Sequence, residues 1–263
     1  MLGNDTLKIL EKISGSYGFS TVFDDFLRMT VCAFSMGKME TEYLRIAKKY
    51  DTKDLSQFAH ALGSLQMEYV EASLDGGWDD VVGNMYEAAG QSNSRTGQFF
   101  TPKQVCDLMA QITANEKESG TVNDCAAGSG RNLIAHSRLE PNNRHNFYYV
   151  AEDLDMRCVN MSLINFVMYG MKGVVVHKDS IQNKTYSAYR VYAPETGLFI
   201  SPLCAEGYSS FFEFLNYDNE TPETPSVTQN SVIKESLTTQ KNAVIKESLT
   251  TGYNSKPLQL TLF

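Results

Sequence analysis

The residues Asp124-Cys125-Ala126-Ala127-Gly128-Ser129-Gly130 have the types and spacing needed to seat a nucleoside cofactor. They end a short run from Thr121 that reads as a strand, and a helix-forming stretch from Arg131 follows. At such a strand-turn-helix junction a cofactor touches the backbone directly. Gly128 and Gly130 carry no Cβ, so the turn can take φ > 0 and a ligand can come close. Asp124, at the strand's end, is placed to hold a cation or a polar cofactor group. Two further segments stand in order around the turn. Upstream lies Gly97-Gln98-Phe99-Phe100-Thr101-Pro102, and downstream lie the acids Glu152, Asp153 and Asp155. Each piece alone has a plain structural reading. Gly128-Ser129-Gly130 would be a tight turn, Asp153 a helix cap, and Asp179 a turn residue. The dinucleotide pattern is excluded, because Leu133 stands where its third glycine belongs.

Together the three segments resemble the N6-adenine DNA methyltransferases, in particular the modification subunits of type I restriction systems. That family has a G-Q-F-(F/Y)-T-P segment, then a D-P-A-A-G-S-G turn, then an acid on the next strand. Here the first segment matches fully, and the turn departs only at Cys125, where proline is usual. The resemblance runs from about Trp78 to Ser180. It implies a Rossmann-like, S-adenosylmethionine-dependent α/β fold, a bacterial and cytoplasmic setting, and DNA and a specificity subunit as partners. It also implies roles for residues. Phe100, Thr101, Asp124, Ala126, Gly128, Ser129 and Gly130 would meet the methionine end of S-adenosylmethionine. Asp153, or its neighbour Glu152, would accept the ribose diol, since a carboxylate takes two hydrogen bonds at once. Asp179, followed by Ser180, would take the adenine amine.

The family's catalytic tetrapeptide, (N/D/S)-P-P-(Y/F/W), holds a flipped adenine by its amine and stacks an aromatic ring on it. No such tetrapeptide occurs in this chain, and Ser201-Pro202-Leu203-Cys204 is the nearest candidate. Ser201 and Pro202 are therefore the expected catalytic pair, in a motif without its stacking ring. Base stacking contributes roughly 1–3 kcal/mol. Two functions follow as expectations. One is a DNA adenine-N6 methyltransferase. The other is a catalytically inactive methyltransferase-fold protein that docks DNA or the sliding clamp.

Composition narrows the alternatives. The chain has 263 residues, 42% hydrophobic and 21% charged, with a mean hydropathy of -0.29. That describes one substantial buried core, and no apolar run approaches the ~18 residues of a membrane span. The N-terminus lacks a signal peptide's apolar stretch. Cys32, Cys106, Cys125, Cys158 and Cys204 are scattered without metal spacing, as in reduced cytoplasmic proteins. His60, His136, His145 and His177 are equally dispersed, so no metal is expected. Net charge is -8, which argues against generic nucleic-acid coating. Arg131, Arg138 and Arg144, with Asn142, Asn143 and His145, form either a local patch for DNA phosphates or a solvated helix end and loop.

The elements that must position these groups can be placed by periodicity. Residues 3 to about 90 read as helical, with Leu7, Leu10 and Ile13, then Phe23, Phe26 and Leu27, then Phe58, Leu62, Leu65 and Tyr69 at helical spacing. A helix runs from Asp79 to about Ala89, and Thr101-Pro102 caps another. Strands at 121–124, 147–151 and 173–177 alternate with helices at 131–138 and 155–169, which predicts a parallel sheet. A short strand is expected at 198–200, and Phe211 to Leu215 offers one more apolar element. The division is a helical N-terminal region at 1–93, a Rossmann-like methyltransferase domain at 94–215, whose sheet is either abbreviated or completed by a partner, and a flexible tail at 216–263. In the tail Val232-Ile233-Lys234-Glu235-Ser236-Leu237-Thr238-Thr239 recurs from Val244 to Thr251. The last five residues, Gln259-Leu260-Thr261-Leu262-Phe263, resemble the short peptide by which bacterial replication proteins dock on the DNA sliding clamp.

Overall fold

The computed structural model describes residues 4–74, 77–90, 100–113, 119–140, 144–192 and 197–204. All of them fall within the compact unit Met1–Asn219. The apolar element at 211–215, the tail repeat and the terminal residues 259–263 lie outside the described residues.

Five strands form one sheet in the order β1-β2-β3-β4-β5: β1 (Gly120–Asp124), β2 (Phe147–Asp153), β3 (Gly173–Asp179), β4 (Lys184–Tyr192) and β5 (Phe199–Leu203). The first three are parallel, joined by helical crossovers as expected. β4 is antiparallel to β3, a strand that the periodicity reading did not place. Its cause is local. Only residues 180–183 separate β3 from β4, far too few for a crossover. Asp179 Oδ1 accepts from Gln182 N at 2.8 Å, and Asn183 takes φ 52, a conformation that Asn tolerates. The Tyr- and Val-bearing run Lys184–Tyr192 suits a strand, and β5 pairs with it antiparallel. The sheet is therefore mixed, with a parallel half that carries the candidate turn and a hairpin beyond it.

α8 (Met156–Met168) is the keystone of the packing. It lies on β2 and β3 and is covered in turn by α2 (Phe19–Ala33) and α5 (Val81–Ala88). Every residue from Cys158 to Val167 is buried, so this helix has no solvent face. Its polar residues are then obliged to find partners, and all three do. Asn160 accepts from Arg28, Ser162 donates to the Gly128 carbonyl, and Asn165 bonds Asp80 and the Ser129 carbonyl. Phe23, Phe26 and Leu27 of α2 join Leu163 and Phe166 of α8 and Tyr149 of β2 in one apolar cluster. Fully burying side chains of this size stabilises by about 1.5–3 kcal/mol each. α1 (Asn4–Tyr17), α3 (Glu40–Ala47) and α4 (Thr52–Leu74) complete the helical layer, while α6 (Lys103–Thr113) packs on α7 (Arg131–Leu139). α6 begins one residue later than a Thr101 cap implies, because the Val105 and Cys106 amides close on the Pro102 carbonyl. Among the described residues, no helix is long and apolar enough to cross a membrane.

Candidate functional site

β1 ends at Asp124, level with Ala151 of β2, and the chain turns at once into α7. Gly128 takes φ 57 and Gly130 φ 90, both left-handed, so the glycines stand where other residues would be strained. A Cβ on Gly128 would come within 3.0 Å of the Phe100 ring. Phe100 thus sits directly over the turn, with the Arg131 guanidinium 5.1 Å from its ring centroid and the Tyr86 ring 5.6 Å away. Gly130 caps α7 without any side-chain hydrogen bond. The first amides of that helix therefore have no side-chain cap, and uncapped amides at a positive dipole end favour an anion.

The carboxylates divide their work. Asp124 accepts from Ala126 N at 3.1 Å and from Asn132 Nδ2 at 2.9 Å, which braces the turn's entrance. Asp153 accepts from Gly128 N and Asp155 N, both at 2.8 Å, so it ties the end of β2 to the glycine turn. Burial pushes the Asp153 carboxyl above its ordinary value, against the two backbone N–H groups that pull it down. Glu152 points to the opposite side of the strand. It is buried, paired with Lys178 Nζ at 2.9 Å and accepts from Ser180 Oγ at 3.1 Å. Of the two acids left open by sequence, Asp153 is the one on the turn, and Glu152 is committed to holding β2 against β3. Asp155 caps α8 through Arg157 N at 2.8 Å.

The remaining expected residues are placed as follows. Ser129 is wholly buried and its hydroxyl donates inward to Asp80, so only its backbone faces the turn. Ala126 is exposed on the turn and Ala127 lies beneath it, its amide bonded to the Glu152 carbonyl at 3.0 Å. Thr101 contributes its carbonyl to Arg131 Nη1 at 3.4 Å. Asp179 ends β3 at the same carboxyl end of the parallel strands as Asp124 and Asp153. Ser201 and Pro202 are not brought to this cluster. They lie on β5, separated from β1 by three strands, about 19 Å at ~4.8 Å per strand. Ser201 Oγ accepts instead from Lys38 Nζ at 2.9 Å. The hairpin that places β4 beside β3 carries the Ser201 strand to the far edge.

Three features escaped the sequence reading. Leu154 and Ile181 directly follow the acids Asp153 and Asp179-Ser180, and they are 58% and 99% exposed. Two bare apolar side chains at adjacent strand ends could flank a flat ring; the signal was present as an apolar residue after each acid. The third is the structural role of Arg131, which the sequence offered only for a phosphate patch or a solvated helix end. Its guanidinium bonds Asp80, Asn84 and Glu87 at 2.7–2.8 Å, and Arg138 pairs with Asp107. These two arginines form no phosphate patch, because acids from α5 and α6 already neutralise them. Among the described residues no cluster of His, Cys, Asp and Glu could hold a metal.

Residues 78–193 match the family described as N-6 DNA Methylase. This stretch includes the glycine turn, Asp153 and Asp179. Over these residues the chain is similar to the N6-adenine DNA methyltransferases. It is 22% identical over 179 residues to the type I restriction enzyme MpnII methylase subunit of Mycoplasma pneumoniae. That alignment covers 66% of this chain and 31% of that protein, so the matched stretch spans under a third of that protein's length. The crystal structure of the type I restriction-modification system methyltransferase subunit from Streptococcus thermophilus aligns with a TM-score of 0.33 at 16% identity. It covers 64% of this chain and 54% of that one.

Proposed function

We propose that this chain binds S-adenosylmethionine at the carboxyl ends of β1, β2 and β3 and acts in DNA adenine-N6 methylation as a type I methylase-like subunit. The observation that carries this reading is the bond from Gly128 N to Asp153, which sets a left-handed glycine turn and a ribose-type acid side by side. The groups present suit the ligand. The open amides at the start of α7 would hold the methionine carboxylate, and Asp124 its ammonium. Asp153 would accept the ribose diol, Leu154 and Ile181 would flank the adenine, and Asp179 would take its amine. Bound there, the cofactor supplies an electrophilic methyl on a sulfonium centre. The proposed partners are DNA and a specificity subunit, which would provide the cationic surface that a chain of net charge -8 does not offer overall. The divisions at 93/94 and 215/216 are kept as the proposed functional boundaries, with the cofactor site in 94–215.

Calorimetric titration with S-adenosylmethionine tests this directly, with Asp124→Ala as the control. Heat of binding that is lost in the variant is expected; a well-folded wild type with no heat would overturn the reading. Ser201→Ala should alter cofactor affinity by less than about two-fold, since an exposed hydroxyl-to-lysine bond contributes little. A larger loss would mean that the β5 edge folds back toward the turn.

A further inference from the structure

We propose that Asp80 is a positioning residue for the glycine turn, setting the affinity for the amino-acid end of the ligand without touching it. This rests on the cofactor reading above. Asp80 is 2% exposed and lies outside the turn in sequence, at the start of α5. Its carboxylate nonetheless collects four donors. Oδ1 accepts from Gly83 N and Asn165 Nδ2, both at 2.9 Å. Oδ2 accepts from Ser129 Oγ and from Arg131 Nε, the latter at 2.7 Å. One buried charge thus joins α5, the glycine turn and α8.

The consequence lies in the turn's carbonyls. Asn165 Nδ2, held by Asp80, also donates to the Ser129 carbonyl at 2.8 Å, and Ser162 Oγ donates to the Gly128 carbonyl at 2.9 Å. With both carbonyls and the Ser129 hydroxyl pulled inward, the peptide planes of the turn have one orientation: the Gly130 amide closes on the Ala127 carbonyl at 2.8 Å, and the Ser129 amide is directed opposite to the Gly128 carbonyl. Arg131 extends the same grip to the Thr101 carbonyl and stacks on Phe100, so the segment over the turn is fixed from the same anchor. A buried carboxylate with every partner satisfied gives this kind of preorganisation. Asp179, Leu154 and Ile181 lie at the ends of β2 and β3 outside this network, and Asp153 meets the turn through the Gly128 amide alone, so the network acts chiefly on the amino-acid end of the ligand.

The test is Asp80→Asn, which keeps the volume and removes the charge. Amide hydrogen exchange in the ligand-free protein is expected to speed up at least ~10-fold at residues 128–132, with β3 and β4 unchanged. Affinity for S-adenosylmethionine should fall roughly 10-fold, while affinity for 5′-methylthioadenosine, which lacks the amino-acid end, stays within about two-fold. Ser129→Ala removes a single bond and should give the same pattern at smaller size. Unchanged exchange at the turn, or faster exchange throughout the sheet, would overturn the proposal, as would parallel losses for both ligands. If the wild type binds neither ligand, the cofactor reading falls, and the exchange comparison still decides the positioning role by the same criterion.

Discussion

Asp153→Ala should weaken S-adenosylmethionine binding about 100-fold in a calorimetric titration, from two lost charge-assisted hydrogen bonds at ~1.5 kcal/mol each. The contrast is Glu152→Gln, which should change affinity less than ~5-fold, because Glu152 is engaged with Lys178 and Ser180 on the other side of β2. If Glu152→Gln is the damaging change and Asp153→Ala is not, the assignment of the ribose acceptor is reversed. The pH dependence follows from burial. Only ionised Asp153 can accept both ribose hydroxyls, and its carboxyl titrates above the ordinary carboxylate value. Affinity should be full above that raised pKa and fall as the pH drops through it, and Asp153→Ala should lose this dependence. The sign for folding is the opposite. A carboxyl whose folded pKa is raised costs stability in its charged form, so Asp153's contribution worsens as pH rises from the ordinary value to the raised one.

Gly83→Ala should destabilise the protein by about 3 kcal/mol, lowering the thermal midpoint by roughly 6–12 °C in a circular-dichroism melt. A Cβ at Gly83 would lie 1.8 Å from Asp80 Oδ2 and 2.5 Å from its Cγ. A free carboxylate would swing away at little cost, but this one is held by Gly83 N, Asn165, Ser129 and Arg131. Displacing it removes the helix cap, worth about 1 kcal/mol, and leaves buried donors unsatisfied, which costs about 1–3 kcal/mol more. A midpoint within about 2 °C of wild type would show that the anchor re-forms elsewhere. The same variant should speed exchange at residues 128–132, in line with the role assigned to Asp80.

The parallel half of the fold was legible because its signals are local. Val150 and Val174–Val176 lie in short apolar runs, β1 is marked by the glycine turn that ends it, and the helices between the strands show the 3.6-residue period. The turn at Gly128 and Gly130 is likewise a local matter, since a left-handed backbone needs residues without Cβ and the chain supplies them in place. The β3-β4 hairpin was missed although its cause is also local, a four-residue turn before a Tyr-rich strand, because polar residues such as Lys184, Thr185 and Arg190 break up the apolar pattern. What the residues alone determined, then, was the glycine turn, the acids that follow it and the α/β alternation that carries them, all consequences of backbone sterics and hydrophobic period. The tertiary structure decided the rest. It set Asp153, which spacing along the chain already favoured, against the Gly128 amide and turned Glu152 to Lys178, because strand alternation sends neighbouring side chains to opposite faces. It drew Asp80 to Ser129 across 49 positions, since a buried charge must find its donors wherever packing brings them. And it carried Ser201 to the far edge of the sheet, because strand order is set by how the chain crosses over, which spacing along a sequence does not record.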